Sequence, residues 1–399
     1  MERTWPQRKL WSLKRSRPAN EGKRGIMYRI LVINPGSTST KIAIFHDGSE
    51  QLSQTAGHTN KQLRRFSSVI EQLPFRLTVV RSFLREHGLS IHDFDVFVGR
   101  GGSLRPIPGG TYAVGPDMIE DLRTCRYGSH ASNLGALMAY EFGTKANRPA
   151  FIVDPIAVDE LEPIARITGC PEIEKRSLFH ALNQKSMARR FAGSIGRHYE
   201  ELTLIVAHLG GGISVGCHRN GRVIDVNNAL DGSGPFSPER AGTLQAAQWS
   251  ELILGGRISL PGALRMIAGK GGIMAHLGTS DARDVEKRIG KGDEHARLVY
   301  EAMIYSIARE IGAAAVTARG RVDAIILTGG MAHSCYVTER LKEYVQFIGP
   351  VHVLPGENEM QALAEGACRV LYGIEAAREY SSNPEPVGAA PSPEPIYVG

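Results

Sequence analysis

The chain has 399 residues, 42% of them hydrophobic, which suffices for two globular domains of ordinary size, each with its own core. Its formal net charge of +6 is concentrated in residues 1–26, which hold eight basic and two acidic residues; the other 373 carry 39 of each sign. That balance removes support for a nucleic-acid-binding reading of the whole protein, and no run of 18 apolar residues predicts a membrane span.

The basic start lacks an apolar core segment, so it does not read as a secretory signal. Residues 1–26 are expected to be a disordered tail, or to precede a working start at Met27. Residues 28–33 (YRILVI) and 40–45 (TKIAIF) read as strands, and Asp47-Gly48 as the hairpin turn after them. A helical pattern follows through Phe66, Val69, Ile70 and Leu73, interrupted at Pro74. Short strands are predicted at 94–98, 111–114 and 151–153.

A second block repeats this plan. Strands are predicted at 203–207, 213–217 and 222–227, with Asn220-Gly221 as the hairpin turn. The shared order of apolar strand, Gly-containing loop, strand, turn and strand predicts an internal duplication: two related α/β domains facing each other across a cleft. The first spans 27–157 and is completed by a C-terminal helix at 360–378; the second spans 158–359. Helical periodicity through Val299, Met303, Ile307 and Ile311, a strand at 323–328 and a helix at 361–372 complete the pattern. Residues 381–399 contain five prolines and are expected to be disordered. The five cysteines are scattered without a CxxC pair, which argues against a zinc site or disulfide framework and fits a reducing cytoplasm.

Three Gly-containing turns could bind phosphate. Asn34-Pro35-Gly36-Ser37-Thr38-Ser39-Thr40-Lys41 joins two strands and offers hydroxyls, backbone N–H groups and a lysine, but lacks the GK[ST] ending of a Walker A loop; it reads equally as a polar hairpin. His208-Leu209-Gly210-Gly211-Gly212 occupies the equivalent turn of the second block. Gly329-Gly330 follows an apolar strand, where a nucleotide could lie or where a strand simply turns into a helix. Asp154 ends a strand before Pro155, as a ligand-facing carboxylate or a turn initiator. Arg100, His130, His180 and Arg240 are isolated cations, and Glu357 and Glu359 precede the last helix, where acidic residues complement the helix dipole.

Taken in order, NPGSTSTK, GRGG, VDP, LFH, AHLGGGISV, DGSGPFSPER and LTGG resemble the motifs of butyrate kinases, relatives of acetate kinase in the actin, Hsp70 and sugar-kinase superfamily. The resemblance covers residues 27–375 and is carried mainly by AHLGGGISV and GPFSPER. It implies two ribonuclease-H-like domains around a nucleotide cleft, with ATP and Mg²⁺ as cofactors, a small carboxylic acid as substrate, and a homo-oligomer. It further implies roles for individual residues. Asn34 would help position Mg²⁺ or phosphate, and Ser37, Ser39 and Lys41 would form the first phosphate loop. His208 and the three glycines would form the second. Arg100 and Arg240 would bind the acyl phosphate, and His180 would stabilise the transition state. His130 would line the pocket. Asp281 and Arg283 would lie near the adenosine, with Gly329 and Gly330 also at the nucleotide. Asp154 would be linked to Mg²⁺, as would Glu359, although the short motif also permits Glu357. The compact GRGG stretch suggests room for an acyl chain longer than acetate. Two rivals share the fold: an actin-like ATPase module, which needs no paired arginines, and a sugar kinase, which needs a carboxylate base such as Asp154.

Overall fold

The computed structural model describes residues 27–382. The expectations for 1–26, and for 381–399 beyond Ser382, lie outside the described residues. In the first half, β1 (Arg29–Pro35), β2 (Ser39–His46), β3 (Ser49–Gly57), β4 (Val96–Gly99), β5 (Thr111–Ala113) and β6 (Ala150–Val153) form a sheet of order β3-β2-β1-β4-β6-β5. In the second, β7 (Thr203–Leu209), β8 (Ile213–Arg219), β9 (Arg222–Val226), β10 (Ala324–Gly329) and β11 (Val351–Pro355) form a sheet of order β11-β10-β7-β8-β9. Each sheet has a three-strand antiparallel meander whose first strand pairs in parallel with a later one, β1 with β4 and β7 with β10. This duplicated α/β arrangement is the predicted fold class.

Strands β1 and β7 are buried on both faces, and their side chains divide by the period of two that a pleated strand imposes. Leu31 and Ile33 face α1 (Leu73–Glu86), α2 (Pro116–Arg123) and α3 (Asn133–Ala146), whereas Ile30 and Val32 face the other layer. In the second sheet Leu204 and Val206 pack on α4 (Ala181–Ser194). Ile205 and Ala207 face the helices α5 (Ala282–Gly290), α6 (Glu294–Thr317) and α7 (Cys335–Val345). The last helix, α8 (Glu359–Leu371), returns to the first sheet and covers β1, β4 and β6. Helices α4 and α8 therefore occupy equivalent places on the two sheets, and they touch each other.

Pro74 does not interrupt a helix, as the periodicity suggested; it lies in the first turn of α1 and starts it. A first-turn proline has no intrahelical N–H bond to lose and its φ suits the helix. The residues before it form only a short 3₁₀ turn at Ile70–Gln72. No helix among the described residues is long and apolar enough to cross a membrane.

The segment joining the two halves is tied down by a buried ion pair. Lys185 of α4 donates to Glu160 at 2.7 Å, and both side chains are almost fully buried. Glu160 also accepts the N–H groups of Gly109 in the first half and Val223 in the second, each at 2.8 Å. Removing one partner strands the other charge in the interior. Glu160→Ala is expected to lower the unfolding free energy by about 3–5 kcal/mol, and the double variant with Lys185→Met to lose less than the two single losses combined; urea titrations followed by circular dichroism would measure both.

Candidate active site

The first phosphate-type loop runs between β1 and β2. Its conformation is held from beneath by Arg76 of α1, which is fully buried and donates to Ser39 O (2.7 Å), Ser37 O (3.3 Å), Thr40 Oγ1 (3.1 Å) and Gln72 Oε1 (2.9 and 3.1 Å). All these partners are neutral oxygens, so burial alone pushes the guanidinium down to about 10. Sequence reasoning missed Arg76, because an arginine four residues after Gln72 on a helix looks like a surface residue. The hydroxyl residue Ser37 and the lysine Lys41 remain exposed.

Three predicted residues meet at the edge of this loop. Asn34, near the end of β1, donates through Nδ2 to Glu359 at 2.7 Å. Arg100 follows β4, where its N–H binds Ile33 O at 3.0 Å, and its guanidinium pairs with the other Glu359 oxygen. Glu357 lies close by: partial desolvation and then the Glu359 charge push its carboxyl up, against Lys41 and Arg100. Lys41, Glu357 and Glu359 line one cavity of about 460 Å³. His130 is on the same side; its Nδ1 accepts the Ser132 N–H at 3.2 Å, and partial desolvation and the Arg100 charge hold its imidazole below the usual value.

The glycines around Arg100 have a different cause from the one expected. A Cβ on Gly99 would stand 2.1 Å from the carbonyl oxygen of Gly135 in α3, and one on Gly102 would stand 2.3 Å from Asn133 Oδ1. Close packing of α3 under the loop requires the small residues, so GRGG is no measure of acyl-pocket size.

The second half supplies the facing cluster. The rings of His180 and His208 stack with centroids 3.8 Å apart and planes 11° apart. His208, at the end of β7, is oriented by Asn183 of α4. The Asn183 amide nitrogen donates to Gly356 O (3.2 Å) and Glu357 O (2.9 Å), so its oxygen must face His208 and accept from Nδ1–H at 2.7 Å. Burial, followed by the charges of Arg100 and Arg240, pushes His208 down to about 3. His180 is also lowered, first by burial and then by His208, Arg240 and Arg100. The two arginines from opposite domains thus act on the same pair of imidazoles. Arg240 donates to Ala229 O and lies over Gly212, where a Cβ would meet its Nη1 at 2.0 Å. Gly212 accordingly makes room for Arg240, and a Cβ on Gly210 would stand 3.1 Å from His208 Nε2.

Other predicted residues are placed differently. Asp154 is not brought to this cluster. It is 2% exposed, with one oxygen accepting Gly110 N–H at 2.7 Å and the other Arg189 Nη1 at 2.9 Å. Burial raises its carboxyl, but Arg189, Lys185 and Arg369 outweigh that and hold it below the ordinary value. Its burial and its ion pair with Arg189 give Asp154 a structural role in holding Gly110 and α4 together. Asp281 caps α5 by accepting Arg283 N–H at 2.9 Å, and the two side chains form an exposed pair at 2.7 Å. One turn on, Glu286 accepts from Ser334 Oγ at 2.6 Å, which brings α5 beside the turn begun by Gly329 and Gly330.

Fold and sheet topology together define a duplicated, actin-like α/β architecture. Residues 173–367 match the family model described as the acetokinase family. The chain is similar in structure to the acetate kinase of Porphyromonas gingivalis, with TM-score 0.69 and 18% identity, covering 87% of this chain and 100% of that one. It is similar also to a propionate kinase from Francisella tularensis, with TM-score 0.66 and 17% identity over 85% and 99% of the chains. The acetate kinase of Entamoeba histolytica gives TM-score 0.67 and 17% identity over 85% and 98%. These likenesses establish the fold.

The lowered His208 has a consequence for stability. In the unfolded chain its imidazole returns to the ordinary value near 6.5, so between there and about 3 the unfolded state binds more protons. Its contribution is complete above that range and is lost as pH falls. Between pH 7.5 and 5 the wild type should lose about 2 kcal/mol more stability than His208→Gln; urea midpoints of both proteins at the two pH values would show equal losses if the imidazole were not buried neutral.

Proposed function

We propose that the protein is an ATP-dependent kinase that phosphorylates the carboxylate of a short-chain fatty acid, with butanoate as its acyl substrate, yielding ADP and butanoyl phosphate. The observation that carries this reading is the stacked pair His180 and His208 beside the turn over which Arg240 lies, with the Arg100 charge from the first half also lowering both imidazoles. The acetokinase match over residues 173–367 and the motif order support it.

The chemistry explains the choice of side chains. A fatty acid has a pKa of roughly 4–5 and is ionised at neutral pH, so it needs no general base. The difficulty is the approach of two anions. The carboxylate oxygen attacks the γ-phosphorus in line while the bond to the β,γ-bridging oxygen breaks and ADP leaves. Arg100 and Arg240 would offset charge on the transferring group, neutral His180 would donate a hydrogen bond to it, and Lys41 and the loop N–H groups would hold the remaining phosphates. Asp154 is buried and ion-paired with Arg189, which disfavours it as the base that the sugar-kinase reading requires. An actin-like ATPase gives no account of the cationic pair.

The residues present also fit Mg²⁺. That ion is usually held by one or two carboxylates plus phosphates rather than by a protein cage. Glu359 and Glu357 supply such carboxylates, and the Asn34 amide oxygen is left over from its bond to Glu359. When bound, the ion would neutralise phosphate charge.

Purified protein with ATP, Mg²⁺ and hydroxylamine should form a hydroxamate from butanoate, because acyl phosphates react with hydroxylamine and sugar phosphates do not. Butanoate should exceed acetate in kcat/KM by about 10–200-fold, the effect of methylenes in an apolar pocket; preference for acetate would reject butanoate as the substrate. Arg100→Ala and Arg240→Ala should each lower kcat/KM by about 10²–10³, with Lys recovering only part, because it lacks the planar fork. Near wild-type kinetics in both alanine variants would sink the mechanism.

A further inference from the structure

Behind His180 runs a hydrogen-bonded chain through three buried elements. Tyr199 OH meets His218 Nδ1 at 2.7 Å, and His218 Nε2 meets Gln184 Oε1 at 2.9 Å. Gln184 Nε2 meets Ser214 O at 3.0 Å and Ser214 Oγ at 2.8 Å, and Ser214 Oγ meets His180 Nδ1 at 2.8 Å. His218, Gln184 and Ser214 are fully buried, and Tyr199 is 3% exposed.

The direction of every bond follows from one fixed point. The carbonyl oxygen of Ser214 can only accept, so the Gln184 nitrogen must face it. The Gln184 oxygen then accepts from His218 Nε2–H, and neutral His218 accepts the Tyr199 O–H at Nδ1. Ser214 Oγ already accepts from Gln184, which leaves its own proton for His180 Nδ1. The opposite arrangement, His180 donating to Ser214, would leave a buried hydroxyl proton without an acceptor among the described residues.

We propose that the chain Tyr199–His218–Gln184–Ser214 is a positioning relay that locks neutral His180 as the Nε2–H tautomer, making it a hydrogen-bond donor to the transferring group in its uncharged form. The neighbouring His208 is locked the other way: Asn183 accepts from its Nδ1–H, so its Nε2 carries the lone pair. The stacked rings therefore have opposite polarity, and only His180 can donate to an anion in its neutral form. The catalytic meaning of this assignment rests on the carboxylate-kinase reading; the assignment itself does not.

The test is long-range ¹H–¹⁵N correlation on the full chain labelled at its 13 histidines, with His180 and His208 assigned by the signals missing from His180→Gln and His208→Gln. The expected pattern is a protonated Nε2 at His180 and a protonated Nδ1 at His208. A protonated Nδ1 or an averaged pattern at His180 would overturn the proposal. Ser214→Ala, and Gln184→Met one bond further from the cleft, should convert His180 to a mixture of tautomers. Ser214→Ala should lower kcat by about tenfold or more while the KM for ATP stays within about twofold, the split expected when only a transition-state contact is lost. An unchanged His180 pattern in both variants would also overturn it. A protein inactive on every fatty acid but showing the expected pattern would remove the kinase reading and support the relay; an active protein with the reverse tautomer would do the opposite.

Discussion

The contact between α4 and α8 sets the geometry on which the site depends. Each helix covers equivalent strands of its own sheet, so their meeting joins the two sheets through matching layers. It also brings two helix beginnings to one place: His180 is the residue that caps α4, and Glu359 is the first residue of α8. A helix N-terminus presents unpaired N–H groups and a partial positive charge. Glu359 complements that charge on α8, whereas His180 adds a neutral ring to α4. The cleft is favourable to anions before any side-chain cation is counted.

The cations divide into two sets by what compensates them. Lys185 and Arg189 each have a buried carboxylate, Glu160 and Asp154, and belong to the joint between the halves. Among the described residues, Arg76 and Arg240 have only neutral oxygens within hydrogen-bond reach, and both are pushed down by burial. Arg100 shares Glu359 with Asn34. Placing uncompensated positive charge under and across from open turns costs stability, which bound polyanions would return. The joint is built with paired charges, whereas in the cleft only Arg100 of these arginines has a carboxylate partner.

Much of this was legible in the sequence. Alternating or continuous apolar runs and the turns at Asp47-Gly48 and Asn220-Gly221 revealed both meanders, because backbone sterics and strand burial act locally. Repetition of that local pattern was enough to predict the duplicated fold. His180 and His208, singled out in separate contiguous motifs, stack on each other in the fold.

What depended on tertiary structure was the partner of each polar group. Helix α4 is buried nearly all round, so its Lys185, Gln184 and Asn183 carry no amphipathic signature, and their roles emerge only from strands and loops distant in sequence. Asp154 looked like a ligand-facing carboxylate until Arg189, 35 residues away, took its second oxygen. The glycines of GRGG were read as space for substrate, although α3 packs against Gly99 and Gly102 and Pro155 against Gly101. Secondary structure and hairpins follow from interactions between near neighbours, so one sequence suffices to read them. Whether a buried charge is free or paired depends on chain segments that folding alone brings together, and no local pattern records them.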